Sequence, residues 1–145
     1  MSETTQNFSN HTRFHPPFHF VMAPLLIMHL IWSGILVYRN PGWLSIEGLL
    51  FAIGVFLAGF LARVNPLRAQ DRLIRLEEQL RYQRVLGADL AAKAANIEVA
   101  KIVALRFASD GELADLVKQT LDGKLAKPAD IKKAIKNWRG DYFRV

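Results

Sequence analysis

Cysteine is absent from the whole 145-residue chain, which excludes disulfides, thiolate metal sites and cysteine nucleophiles. Charge is scarce in one half only. Between Arg13 and Arg39 there is no Asp, Glu, Lys or Arg, and between Arg39 and Arg63 the one charged residue is Glu47. Catalytic grammar is lacking as well: there is no HExxH, GxSxG, P-loop or EF-hand, and no GxGxxG following a strand. No enzyme activity, catalytic residue or metal site is therefore expected. Motifs that read or stack on bases are missing too, so nucleic acid is not an expected partner.

What is present is divided sharply. Hydrophobic residues make up 51% of the chain, but this average joins an apolar amino-terminal half to a charged carboxy-terminal one. Residues 66–123 hold nine basic and nine acidic residues, which cancel. Residues 124–145 carry Lys124, Lys127, Lys132, Lys133, Lys136, Arg139 and Arg144 against Asp130 and Asp141, so most of the net charge of +6 is local to this end.

Phe20 to Tyr38 and Trp43 to Ala62 are apolar runs of 19 and 20 residues. As helices they measure roughly 28 and 30 Å, the thickness of a bilayer's hydrocarbon core. Two buried helices of a soluble protein would need a larger polar shell than some 80 remaining residues supply. MSETTQNF is not the basic start of a signal peptide. The link RNPG, Arg39 to Gly42, is a turn by composition, so the runs are expected to form a transmembrane hairpin. Arg63, Arg68, Arg72, Arg75 and Arg81 follow the second run and Arg13 precedes the first, whereas the turn carries only Arg39. The positive-inside rule then places both termini in the cytoplasm.

On a helical projection of the second run, Gly48, Ala52, Gly54, Ala58, Gly59 and Ala62 fall within an arc of about 160°. Small residues let another helix approach closely and drive association in lipid. The arc is wide for one neighbour, and this face is expected to pack a further helix besides the first span. Two ionisable groups lie in the apolar runs, His29 and Glu47, with Ser33 one turn beyond His29. Counted from the turn, Ser33 lies level with Glu47, and His29 about 7 Å deeper, level with Ala52. Intramembrane ionisable groups are functional candidates by default. His29 is the one position suited to axial ligation of a porphyrin-like cofactor or to a proton relay; no other motif calls for a cofactor.

The amino-terminal arm, residues 1–19, spaces His11, His15 and His19 four apart. A helix would align them, but Pro16 and Pro17 should break it. The arm reads instead as an interfacial lead-in, with Phe8, Phe14, Phe18 and Phe20 toward lipid.

Residues 63–145 read as a helical cytoplasmic domain. Pro66 suits either the first turn of a new helix or a kink in one continuing from the second run; Leu67, Leu73, Ile74, Leu76, Leu80, Val85 and Leu86 make it amphipathic, able to pair in a short coiled coil or, more simply, to pack on the helices that follow. Ala88 to Ala95 is a second helix, and Asn96 is placed to cap a third over Ile97 to Phe107. Ser109 and Glu112 form a capping box for a fourth helix that Asp122-Gly123 ends. A last helix from Pro128 to Gly140 puts Ile131, Ala134, Ile135 and Trp138 on one face. Lys132, Lys133, Lys136 and Arg139 share the other, a polybasic face suited to anionic lipid.

The stretches QNFSNHTRFHPPFHF (Gln6 to Phe20), ALRFASDGEL (Ala104 to Leu113) and AIKNWRGD (Ala134 to Asp141), ordered around two apolar runs, resemble a family of small uncharacterised bacterial inner-membrane proteins. The resemblance covers nearly the whole chain. It implies a bacterial inner-membrane location and supplies no activity and no site residues. The expectation is thus an all-α protein: an arm (1–19), a transmembrane hairpin (20–62) and a cytoplasmic helical domain (63–145). Its expected role is that of a non-enzymatic oligomerising or accessory subunit, with lipids, further copies or a larger membrane complex as partners. An oligomeric pore or cofactor-binding protein using His29, Ser33 and Glu47 is the alternative.

Overall fold

The computed structural model describes residues 6–11 and 14–142; the expectations that involve Arg13 and Arg144 lie outside them. Among the described residues the chain is all-helical, without a β-strand. A wide π-type turn, Pro17–Met22, leads into α1 (Ala23–Arg39), which is followed by α2 (Trp43–Val85), α3 (Ala88–Ala94), α4 (Val99–Leu105), α5 (Asp110–Leu121) and α6 (Pro128–Ala134). Two compact units result. One comprises residues 13–67, and the other joins 1–12 to 68–145. The division thus falls within α2, and within the arm rather than at its end.

In the first unit the Pro pair starts the helix instead of breaking it. Pro16 precedes the first turn and Pro17 lies in it, where the missing N–H costs nothing because first-turn donors have no intrahelical acceptor. The turn at Asn40–Gly42 is tied by Ser45, whose Oγ accepts the Gly42 N–H at 3.1 Å and lies 2.8 Å from the Asn40 carbonyl oxygen. Beyond it α2 packs back on α1. A Cβ at Gly59 would sit 2.5 Å from Leu26 Cδ1 and 3.8 Å from Met22 Cε, so this glycine permits the close approach. Ser33 and Ala52 are buried, whereas the most apolar 18-residue stretches of Pro17–Arg39 and Trp43–Val85 are each only 6% buried. Both segments, the first being α1 with its leading turn, are long and apolar enough to cross a membrane.

α2 runs unbroken through Pro66 to Val85. In the second unit its face is not the one expected. Ile74, Glu78, Arg81 and Tyr82 are buried, while Leu73, Leu76 and Leu80 are exposed. The core beneath is built from Tyr82, Leu86, Ile97, Ile102, Leu105, Phe107, Leu113, Leu116, Val117 and Ile131, among others. On α5, Leu113, Leu116 and Val117 recur at helical spacing and face inward.

The helix ends confirm some punctuation and correct the rest. The Ser109–Glu112 capping box is formed, and Gly123 at φ +77° ends α5, its neighbour Lys124 donating N–H to the Gln119 carbonyl at 3.0 Å. Asn96 is not the cap expected: α4 starts at Val99 after Glu98, and the Asn96 amide lies 3.4 Å from the Ala92 carbonyl oxygen. The last helix is also shorter than expected, ending at Ala134. Beyond it the chain is extended, and Trp138 forms an isolated antiparallel bridge with Ala108, through Ser109 N–H to Asn137 O at 3.1 Å and Arg139 N–H to Phe107 O at 2.7 Å. The Glu112 carboxylate accepts the N–H groups of Lys136 and Asn137, both at 3.0 Å. Tertiary acceptors therefore take the backbone donors that a longer helix would have used. Lys136 and Arg139 leave the helix, so no four-residue basic face exists on α6.

Leu113 is fully buried at the centre of this core. Leu113→Ala should destabilise the second unit by about 2–5 kcal/mol; urea unfolding of the purified chain, with hydrogen exchange in α4 and α5 as the local readout, measures it.

Candidate functional site

The small-residue face of α2 is used only in part within its own unit. Ala52 is buried, Gly48 and Gly59 are half-buried, and Gly59 receives Leu26. Gly54, Ala58 and Ala62 are exposed, and no side chain comes within 4 Å of where a Cβ would stand on Gly54. Their spacing of four residues repeats along one helical stripe. Glu47, seven residues before Gly54, is exposed on the same stripe.

The three polar residues of the apolar helices are not brought together. Setting Gly59 against Leu26 places Ser33 level with Ala52, one turn away from the expected level, and it is these two that are buried. Ser33 Oγ donates to the His29 carbonyl of its own helix at 2.9 Å, which satisfies the hydroxyl without a partner from α2. The imidazole of His29 and the carboxylate of Glu47 are both on exposed residues. No hydrogen bond joins any two of the three side chains among the described residues.

Arm residues fall into both units. In the second unit, the Gln6 side chain pairs with the backbone of Asp141, donating to its carbonyl at 3.1 Å and accepting its N–H at 3.0 Å. His11 lies against Phe8, Phe107 and Trp138 at ring-centroid distances of 5.7 to 5.9 Å, with Lys132 Nζ 3.0 Å from its Nε2. Phe8 therefore packs on protein, beneath the Lys133 ammonium at 5.8 Å. In the first unit, His19 folds back on His15, its Nδ1 3.1 Å from the His15 N–H nitrogen, and Arg63 lies over Phe18 at 5.7 Å. Among the described residues no cluster of three or more His, Asp or Glu could hold a metal ion.

The second unit also contains a polar centre that the hydrophobic pattern did not reveal. Arg81, 3% exposed, donates Nη2 to the Ala108 carbonyl at 2.7 Å and approaches one oxygen of Asp110 with Nε at 2.7 Å and Nη2 at 2.6 Å. Its Nη1 meets Glu78 at 3.1 Å, and Arg139 reaches the other Glu78 oxygen at 3.4 Å. Arg106, pairing with Asp141 at 2.9 Å, stacks over Phe107 at 4.3 Å. Glu78, Arg81, Arg106, Arg139 and Asp141 line a cleft of ≈ 840 Å³ together with Glu77, Leu80 and Tyr142. Burial raises the Glu78 pKa above the ordinary carboxylate value, against the pull of Arg81, Arg139 and Arg106. The hydrogen bond from Arg81 lowers that of Asp110. Burial, and secondarily Glu78, raises the Tyr82 phenol, whose hydroxyl is buried without a hydrogen-bond partner. Through these pairs the wall of the cleft ties α2 to the segments after α4 and α6. The only signal in the sequence was the Glu78–Arg81 spacing of three, which also fits an ordinary solvated pair.

A family profile described as "Family of unknown function (DUF6526)" matches residues 1–145. No curated protein and no solved structure matches the chain.

The arrangement separates the two partners of the buried pair by consequence. Arg81→Met leaves Glu78 with less compensation in the interior and frees the Ala108 carbonyl, so it should cost about 3–5 kcal/mol. Glu78→Gln removes a charge that burial already disfavours, so it should match wild type at the acid end and be the more stable of the two as pH rises. Because the folded pKa of Glu78 is raised, its contribution is fully present below the unfolded value of 4.5 and is lost as pH rises through the folded value. Unfolding midpoints of wild type and Glu78→Gln from pH 4 upward should converge at the acid end.

Proposed function

The chain belongs to DUF6526, a family of unknown function, and we propose that it is a non-enzymatic membrane protein, an assembly subunit that packs through the free part of its α2 small-residue face against another transmembrane helix. The two apolar helices cross the bilayer as a hairpin in a bacterial inner membrane. Arg63, Arg68, Arg72 and Arg75 follow the second crossing and Arg39 alone lies in the turn, which favours termini on the cytoplasmic side.

One observation carries this reading: α1 covers Ala52 and Gly59, while Gly54, Ala58 and Ala62 stay open. In lipid the hydrophobic effect does not hold helices together; close backbone approach does, and such a stripe supplies it. Glu47 on the same stripe adds a polar group that is costly in lipid and gains from a neighbouring helix's donors. The occupant of the stripe is a second copy or the helix of a larger membrane complex. Lys133 on α6 and Lys136 beyond it, both exposed, remain candidates for anionic headgroups; Lys132 lies against His11 and Arg139 pairs with Glu78 instead.

The test is direct. The wild-type chain should stay with membranes through alkaline carbonate extraction. After gentle solubilisation it should migrate as an assembly larger than one chain, which Gly54→Leu/Ala58→Leu reduces toward the monomer. Extraction of the wild type by carbonate would refute the membrane placement; an unchanged assembly size in the double variant would refute the packing face.

A further inference from the structure

The cytoplasmic end of α2 carries a second unoccupied stripe, of different composition. Leu73, Leu76 and Leu80 are 60%, 55% and 53% exposed, although each could have been buried had α2 been rotated. The rotation is fixed by the opposite face, where Ile74, Glu78, Arg81 and Tyr82 enter the interior. With Ala69 and Gln83, both exposed, the leucines follow a 4-3-4-3 spacing. That is the seam of a coiled coil, with Leu73 and Leu80 at a and Ala69, Leu76 and Gln83 at d.

From this seam we infer that α2 pairs with α2 of a second copy in a short parallel coiled coil. Charge placement selects both the occupant and the direction. In this register Arg72 is at g and Glu77 at e, and in a parallel pair a g residue faces the e residue five positions on in its partner. Arg72 of each copy therefore meets Glu77 of the other, twice by symmetry. Both are exposed, and neither has an ion-pair partner among the described residues. The remaining g–e contact, Gln79 with Arg84, opposes no like charges. An antiparallel pairing of the same leucines would instead set Glu77 against its own copy. The parallel direction rests on the membrane reading above, because copies inserted the same way present α2 in the same sense. A seam of about two heptads is marginal between free chains, but membrane-anchored copies meet at a high effective concentration.

The natural absence of cysteine makes the test clean. Leu73→Cys and Leu80→Cys, each introduced singly and oxidised in native membranes, should form disulfide-linked dimers at several times the yield of Arg75→Cys, an exposed position off the seam. Arg72→Glu should cut the Leu80→Cys yield several-fold, and Arg72→Glu/Glu77→Arg should restore it. Three results would each overturn the inference: linkage mainly between Leu73→Cys and Leu80→Cys chains when mixed, equal linkage from Arg75→Cys, or no linkage. In the last case, labelling by a water-soluble maleimide tells an open seam from one covered by lipid or another protein. Failure of the span reading is separable. If Gly54→Leu/Ala58→Leu leaves assembly size unchanged while the Leu80→Cys linkage and its charge dependence persist, the coiled coil stands without the packing face. Carbonate extraction of the same preparations reports the membrane placement independently.

Discussion

The buried guanidinium of Arg81 is the contact on which the charged half of the molecule depends. A guanidinium cannot shed its charge at ordinary pH, so removing it from water requires acceptors on every side. Asp110, Glu78 and the carbonyl of Ala108 provide them. Each acceptor belongs to a different part of the fold: the start of α5, the previous turn of α2, and the strand-like segment after α4. Satisfying one side chain therefore fixes the rotation of α2 against the rest of its unit. Arg139 then joins through Glu78, which draws in the extended carboxy-terminal segment.

That rotation has an outward consequence. With Ile74, Glu78 and Tyr82 turned inward, the leucines at 73, 76 and 80 face away from the core. The helix gains a specific polar anchor and leaves apolar area exposed. In the first unit the reason for exposure is different. α1 and the first part of α2 have little but apolar side chains to offer, and a two-helix hairpin has too little interior to bury them. On the membrane reading proposed above, lipid would cover most of that surface, but it would not call for a run of small residues, which provides little hydrophobic area and a close approach for a neighbouring backbone.

Much of this was legible residue by residue. The apolar runs, the RNPG turn, the Ser109–Glu112 capping box and the Gly123 stop follow from local chemistry, and each appears where the sequence places it. Continuation of α2 through Pro66 was one of two readings, and the structure selects it. The errors share a cause. Residues 135–139 have helical periodicity, yet the Glu112 carboxylate and the Phe107 carbonyl accept their N–H groups, and Ser109 donates its N–H to the Asn137 carbonyl. Phe8 and His11 lie in a stretch that reads as an interfacial arm, yet His11 packs against Phe107 and Trp138, and Phe8 stacks on His11 beneath Lys133. In both places the competing partner comes from a distant part of the chain, and no local pattern contains it.

The sequence by itself determined that this is a helical protein with two apolar crossings' worth of helix, a basic carboxy-terminal end and no cysteine chemistry. Those properties are sums over neighbouring residues: hydrophobic length, charge count and capping. Tertiary structure alone decided which faces are left over. Whether Gly54 or Gly59 is covered depends on the register of α1 against α2, and whether Leu73 or Ile74 is buried depends on where Arg81 finds its acceptors. Burial is a property of pairs of segments, and a single helix, however clear its pattern, does not specify its neighbour.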